Sequence, residues 1–194
     1  MTAGRRARLV TAAVRSINWC SRTLGRGSGT VIGGRAGLAL DSQLLRQLSE
    51  HRVVALVTGT NGKTTTTRML AEAIADHLGP VATNTTGANM PAGHVAALVA
   101  DRTAPAAVLE VDEGYVDRML DEVHPSVVVL LNLSRDQLDR VAEVRLVAER
   151  WRRAFDRWAG GAEAGAPVVV ANADDPLVAW AAGAAPSVRW VGAG

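Results

Sequence analysis

Residues 53–65 read Val-Val-Ala-Leu-Val-Thr-Gly-Thr-Asn-Gly-Lys-Thr-Thr, an apolar run that passes through a glycine-containing turn into a threonine-rich segment. The run predicts a buried strand over Val53 to Thr58, and the segment after it predicts a helix over Thr64 to His77. A strand that leads through a short turn into a helix is the first half of a βαβ unit. The stretch therefore predicts an α/β fold.

The same alternation continues along the rest of the sequence. Predicted strands cover Pro80 to Thr83, Ala106 to Val111, Val127 to Leu133 and Val168 to Ala171. Predicted helices cover Tyr115 to Val123, Gln137 to Trp158 and Pro176 to Ala182. Because the strands are apolar without alternation, we predict a mostly parallel sheet flanked by helices on both faces.

The first 40 residues differ from the rest, since they contain seven arginines and no acidic residue. Val10, Val14 and Ile17 have helical spacing and predict an amphipathic helix. Its apolar face either packs on the domain's own core, or the helix rests as a basic surface helix on anionic lipid. Six glycines between Gly25 and Gly37 predict a loop. We predict a basic helix and a glycine-rich loop over residues 1–40, and the main domain over residues 41–194.

Composition narrows the class of protein. A chain of 194 residues with 48% hydrophobic content is long enough for one globular domain. The net charge of +2 does not imply a nucleic-acid partner. Cys20 is the single cysteine, which excludes an internal disulfide and favours a reducing, cytoplasmic compartment. No apolar stretch approaches the ~20 residues of a membrane-spanning helix, and we predict no signal peptide.

One cationic residue stands apart from the others. The sequence has 20 arginines and one lysine, Lys63, which lies in the turn after the first strand. An ammonium group and a guanidinium group do different chemistry, so a lone lysine indicates a position that arginine does not serve. Backbone N–H groups of such a turn bind phosphate, Lys63 can reach the terminal phosphates, and Thr64 can offer a hydroxyl to Mg²⁺. We predict a phosphate site, with an ordinary strand-to-helix turn as the alternative.

Polar segments follow the other predicted strands. They are Thr86-Gly87-Ala88-Asn89-Met90, Glu110-Val111-Asp112-Glu113, Asn132-Leu133-Ser134-Arg135-Asp136-Gln137-Leu138-Asp139-Arg140 and Asn172-Ala173-Asp174-Asp175-Pro176. Ligands of parallel sheets bind beyond these strand ends. Glu110 is a predicted Mg²⁺ ligand beside Thr64, with a helix cap as the alternative. One of Asp112 and Glu113 is predicted to start the next helix.

The segment Gly-Thr-Asn-Gly-Lys-Thr resembles the ATP loop of the Mur ligase family, in which the first glycine is also shifted from the usual P-loop spacing. The later polar segments resemble that family in the same order. The resemblance implies a P-loop central domain that uses ATP and Mg²⁺ to activate a carboxylate as an acyl phosphate. It implies Lys63 and Glu110 as catalytic residues. It also implies a set of nucleotide-binding residues: Gly59, Thr60, Asn61, Gly62, Lys63, Thr64, Thr65, Asn89 and Asn172.

Several of these roles keep an alternative. Asn172 would pair with the adenine edge or simply form a turn, and Asn89 would line the pocket or belong to a plain loop. The resemblance places Gln137 at the position of a histidine that binds a second Mg²⁺ in other Mur ligases. Gln137 is therefore a predicted metal ligand, although a neutral amide oxygen is a weaker ligand for this ion. Many members also use a carbamylated lysine for that metal, and no lysine follows Lys63 here.

Within the family, the segments Gly-Ala-Asn-Met and Arg-Asp-Gln-Leu-Asp-Arg most resemble the ATP-using subunits of lipid II isoglutaminyl synthases. That resemblance implies amidation of D-glutamate in lipid II, a GatD-like glutaminase as the heterodimer partner, and a cytoplasmic location with peripheral membrane contact left open. It also implies a carboxyl-terminal ligase domain that is absent from these 194 residues. The alternatives are another Mur-type or folylpolyglutamate-type carboxylate–amine ligase, and a non-catalytic ATP-binding module.

Overall fold

The computed structural model describes residues 3–23, 30–84, 88–134, 141–160 and 165–193. Its helices are α1 (Ala3–Thr23), α2 (Thr30–Leu40), α3 (Leu44–Ser49), α4 (Lys63–Leu78), α5 (Pro91–Ala100), α6 (Val116–Val123), α7 (Val141–Gly160) and α8 (Pro176–Ala182). Its strands are β1 (Val53–Thr58), β2 (Val81–Thr83), β3 (Ala106–Glu110), β4 (Val127–Leu130), β5 (Val168–Asn172) and β6 (Val188–Val191).

The described strands form one parallel sheet in the order β2-β3-β1-β4-β5-β6. The strand β1 lies between β3 and β4, so successive strands are added on one side of β1 and then on the other. This change of direction opens a crevice at the carboxyl end of β1, which is where open α/β sheets bind ligands. The predicted α/β class with a parallel sheet is confirmed.

Helices cover the two faces of the sheet unequally. On one face, α4 packs over β1, β2 and β3. On the other face, helices that include α5, α6, α7 and α8 enclose the larger core around Trp151 and Phe155. The strands β1 and β3 are buried almost throughout, whereas β4 and β5 alternate between buried and half-buried residues. One face of β4 and β5 is therefore only partly covered by the described residues.

The glycine-rich segment that was predicted to be a loop forms helix α2 from residue 30 onward. A Cβ atom added to Gly34 would run into the backbone of Ala92 in α5, and one added to Gly33 or Gly37 would collide with Val14 in α1. These glycines let three helices approach closely. The loop prediction is wrong for residues 30–37 because their glycines shape a packing surface instead of a bend. Residues 25–29 of the predicted loop lie outside the described residues.

The predicted amphipathic helix at the start of the chain is confirmed as α1. Val10 and Val14 are buried in the main core, so the inner face of α1 packs on the domain. Within the residues that the structure describes, no helix is both long enough and apolar enough to cross a membrane. The division of the chain at residue 40 stays a prediction.

Besides α2, the sequence pattern did not predict α3, α5 and β6. The helix α5 is buried along almost its whole length and is apolar except for His94, so it lacks the amphipathic pattern that reveals a helix. The strand predicted over Val127 to Leu133 ends at Leu130, because the next residues leave the ladder and turn toward the loop after β1. Predicted helix residues 137–140 lie outside the described residues.

Candidate functional site

The loop between β1 and α4 depends on two glycines with positive φ. Gly59 has a φ of 141°, and a Cβ there would lie 2.9 Å from the backbone nitrogen of Asn132. Gly62 has a φ of 84° and precedes α4 without a side-chain cap. The first N–H groups of a helix have no intrahelical acceptor and carry partial positive charge. The start of α4 therefore presents backbone donors that suit an anion.

Asn132, just beyond β4, braces this loop. Its side-chain oxygen accepts from Asn61 N–H at 2.9 Å, and its side-chain nitrogen donates to Asn61 O at 3.0 Å. Its backbone carbonyl accepts from Thr60 N–H at 2.9 Å. Ser134 adds contacts to the side chains of Thr60 and Asn61. Asn132 belongs to one of the polar segments that follow the predicted strands. Its contacts to the loop between β1 and α4 depend on the folded structure and could not be predicted from the sequence.

Lys63 is the first residue of α4, and its ammonium group turns back onto its own loop. Its Nζ lies 2.5 Å from Gly59 O, 3.2 Å from Thr60 O and 3.4 Å from Glu113 Oε2. The side chain is only 14% exposed. Two carbonyl oxygens and one carboxylate thus surround a single positive charge. The Lys63–Glu113 pair was not predicted, because Glu113 is 50 residues away in sequence.

Thr64 and Glu110 come together across the crevice. The Thr64 hydroxyl donates to Glu110 Oε2 at 2.7 Å. Thr64 lies in the first turn of α4, Glu110 ends β3, and Glu110 is 4% exposed. The two residues predicted to be metal ligands are therefore adjacent in space. Their role in metal binding stays a prediction.

The backbone of Glu110 is held by two buried polar side chains that sequence reasoning had not assigned to the site. Asn84 accepts from Glu110 N–H at 2.8 Å and donates to Glu110 O at 2.8 Å. His94 Nε2 also contacts Glu110 O, at 2.8 Å. Because a carbonyl oxygen only accepts hydrogen bonds, Nε2 of His94 carries the proton. Burial lowers the pKa of His94 to about 4, so the ring is neutral near pH 7.

A cavity of about 580 Å³ lies beside the loop, over the partly covered face of β4 and β5. Asn61 and Thr66 border it on the loop side, and Val129, Val170 and Asn172 on the strand side. The Asn172 side chain donates to Leu131 O at 2.8 Å and accepts from Asp174 N–H at 2.9 Å. Asn172 thus borders this cavity and also makes the turn that was the alternative, and its pairing with the adenine edge stays a prediction.

The other predicted residues fall in different places. Thr65 is exposed on the first turn of α4. Asn89 lies next to the end of β3, where its carbonyl accepts from Asp112 N–H at 3.0 Å. Asp112 caps the 3₁₀ turn at 113–115 through Gly114 N–H, as one of the two helix-start predictions expected. Gln137 lies outside the described residues.

The tryptophans lie in different environments. Trp151 is fully buried, and its indole N–H donates to Glu113 O at 3.0 Å. Trp180 and Trp190 are 47% and 50% exposed. Trp180 lies under the guanidinium of Arg152, with 4.8 Å from that group to the ring centroid.

Metal chemistry at this site would rely on few protein ligands. In the part of the chain that the structure describes, no group of three or more histidine, cysteine, aspartate or glutamate side chains could hold a metal ion by itself. Thr64 and Glu110 offer two oxygens. A Mg²⁺ ion commonly takes one or two protein oxygens together with nucleotide phosphates and waters.

Comparison with known proteins agrees with this architecture. Residues 57–193 match the family model described as Mur ligase middle domain. The chain is 37% identical over 136 residues to the lipid II isoglutaminyl synthase (glutamine-hydrolyzing) subunit MurT of Streptococcus pneumoniae strain R6, covering 68% of this chain and 30% of that protein. It is 34% identical over 161 residues to the corresponding subunit of Staphylococcus aureus strain COL, covering 81% of this chain and 35% of that protein.

Among solved structures, MurF from Acinetobacter baumannii superposes with a TM-score of 0.61 and 22% identity, covering 81% of this chain and 34% of that chain. At this identity the likeness shows the fold alone. The chain thus spans about a third of the length of the proteins that it matches.

Proposed function

The chain belongs to the Mur ligase family, and we propose on this premise that it supplies the ATP-using part of a lipid II isoglutaminyl synthase. In this proposal the chain activates the α-carboxyl of D-glutamate in the stem peptide, and a GatD-like glutaminase delivers ammonia from glutamine. The carrying observation is the cluster of Lys63, Thr64 and Glu110 at the sheet crevice, in a chain similar to two MurT subunits.

The donor atoms in the crevice fit a nucleotide together with Mg²⁺. Thr64 and Glu110 would hold the ion through hard oxygens, and the ion would add positive charge beside the phosphates. The Lys63 ammonium and the first N–H groups of α4 would neutralise the remaining phosphate charge. The cavity beside Asn172 would take the adenine and ribose. Lys63 would exchange its loop carbonyls and Glu113 for phosphate oxygens when ATP binds.

The proposed reaction has two steps. A carboxylate oxygen of the substrate forms a bond to the γ-phosphorus of ATP while the bond to ADP breaks, which gives an acyl phosphate. The nitrogen lone pair of ammonia then attacks the acyl carbon, phosphate leaves, and the nitrogen loses a proton to give the amide. The residues of this chain contribute position and charge rather than a covalent bond. A lipid-linked substrate would bring the chain to the cytoplasmic face of the membrane.

Co-expression of this chain with a candidate GatD-like glutaminase tests the proposal. Mass spectrometry of the stem peptides should show one carboxyl converted to one amide, and Lys63→Ala should abolish that conversion. Met69→Ala on the same helix serves as the control, because Met69 is 69% exposed and should not affect the reaction. Amidation at the wild-type rate by Lys63→Ala would overturn the proposal.

Two other functions make different predictions in the same assay. Another carboxylate–amine ligase would join an amino acid instead of ammonia. Many of those enzymes use a carbamylated lysine as a metal ligand, and no lysine follows Lys63 within these 194 residues, which argues against this function. A non-catalytic module would bind ATP with the partner present and amidate nothing.

A further inference from the structure

Helix α1 exposes two large apolar side chains on the side that points away from the domain. Leu9 is 61% exposed and Trp19 is 63% exposed, although Val10 and Val14 on the opposite side are buried. Positions 9, 12, 16 and 19 repeat at three- and four-residue spacing, so they form one stripe along the helix. We call the stripe formed by Leu9, Ala12, Ser16 and Trp19, together with the neighbouring Arg15, the outer face of α1.

Every charged residue of α1 is positively charged. It contains five arginines and no acidic residue. Arg15 is exposed and lies one helical turn before Trp19. A helix that combines exposed aromatic and aliphatic side chains with arginines has the composition of helices that lie in a membrane interface. Such helices do not need to span the bilayer.

A groove of about 660 Å³ runs along the outer face of α1, between α1 and the carboxyl-terminal half of α5. Arg15 and Trp19 border it on the α1 side, and Ala96, Val99 and Ala100 border it on the α5 side. The α5 side is therefore made of small apolar side chains. A tryptophan next to an apolar groove and an arginine suits the boundary between lipid headgroups and acyl chains, where one end of the side chain is apolar and the other wet.

We propose that the outer face of α1 docks this chain on the surface of an anionic lipid bilayer. Arg15 would pair with lipid phosphates, Trp19 would lie at headgroup depth, and acyl carbons would cover the groove beneath it. A second copy of the chain fits this face less well, because two acid-free arginine-bearing helices would bring like charges together. The proposal concerns membrane attachment alone and holds whether or not the chain carries out amidation.

Vesicle flotation with the full chain tests this docking. Vesicles of phosphatidylcholine containing phosphatidylglycerol should bind the protein, vesicles of phosphatidylcholine alone should not, and high salt should weaken the binding. Arg15→Glu should lower the vesicle affinity by about fivefold or more, since each basic residue near an anionic surface contributes to attraction. Leu9→Ser combined with Trp19→Ser should lower it by about tenfold or more through lost apolar burial.

Met69→Ser is the matched control, because Met69 is an exposed apolar residue on a different helix and its loss should leave vesicle binding unchanged. Circular dichroism and ATP binding by each variant report whether it is folded and whether the nucleotide site is intact. Equal binding to both kinds of vesicle, no binding to either, or equal losses in the α1 variants and the control would overturn the proposal. So would a dimer in solution that the Trp19→Ser change dissociates.

Discussion

The hydroxyl of Thr64 donates to Glu110 Oε2 over 2.7 Å, and this contact joins the start of α4 to the end of β3. The two residues are 46 positions apart in sequence, but β1 and β3 are neighbours in the sheet. Glu110 is buried and its backbone is fixed by Asn84 and His94. The carboxylate therefore has little freedom to move away from the crevice.

We expect Thr64→Val to weaken Mg²⁺-dependent ATP binding by at least about tenfold, because it removes one of two oxygens from a preorganised pair. Valine matches threonine in shape, so the change tests the hydroxyl itself. The Thr64→Ser variant keeps the hydroxyl oxygen and should bind ATP with nearly the same Mg²⁺-dependent affinity as the wild type. Titration calorimetry with and without EDTA measures both, and wild-type affinity in Thr64→Val would contradict the assigned role.

Lys63 and Glu113 form an ion pair at 3.4 Å inside the crevice. We expect Lys63→Arg to bind ATP at least about tenfold more weakly, since a forked guanidinium does not fit a site shaped around a compact ammonium group. Glu113→Gln should bind ATP more tightly, because it removes a negative charge that competes with the phosphates for Lys63. Equilibrium binding of a fluorescent ATP analogue compares the two variants, and weaker binding by Glu113→Gln would show that Glu113 assists the nucleotide.

Gly59 and Gly79 both have positive φ, at 141° and 82°, but only Gly59 lies against other atoms. Alanine at either position incurs backbone strain of ~1–3 kcal/mol. At Gly59 the new methyl group would also push on Asn132, which braces the phosphate loop. We expect Gly59→Ala to lose stability and ATP binding, and Gly79→Ala to lose stability alone. Thermal unfolding and ATP titration of both proteins check this difference.

The sequence predicted the parts of the structure that depend on residues close together in the chain. The strand, glycine turn and lone lysine at 53–65 are contiguous, and the pairing of Thr64 with Glu110 follows once the strands are parallel. Contacts that depend on strand order could not be predicted in the same way. Asn132 braces Asn61 only because β4 lies beside β1.

Helix α2 illustrates a different failure. Glycine content alone predicts a bend there, whereas each glycine of α2 removes a side chain where α1 or α5 approaches. Local composition carries no information on which helix will lie against a glycine.

The close approach at Gly34 leads to a stability prediction. Gly34→Ala should improve the intrinsic helix propensity of α2, but its methyl group would meet the backbone of Ala92. We expect overpacking to dominate and to lower the free energy of unfolding by ~1–3 kcal/mol. Ala39→Ser on the exposed side of the same helix is the control and should change stability little. A Gly34→Ala protein with unchanged urea denaturation would show that α2 and α5 can separate at no cost.

His94 gives the fold a predictable dependence on pH. The ring is fully buried, and burial lowers its pKa to about 4, whereas a histidine in the unfolded chain titrates near the ordinary value of 6.5. As the pH falls below that value, the unfolded chain takes up a proton that the folded chain does not. The free energy of unfolding therefore decreases as the pH falls from about 6.5 toward 4, by ~3 kcal/mol for this residue.

The His94→Gln variant isolates that contribution, because its amide can still donate to Glu110 O but does not titrate. Carboxylates that titrate in the same range affect both proteins, so the informative quantity is the difference between wild type and variant. We expect urea denaturation to give a smaller loss of stability on acidification for His94→Gln than for the wild type. Parallel pH curves for the two proteins would mean that His94 takes up its proton in the folded state, and the crevice around Glu110 would then be open to water.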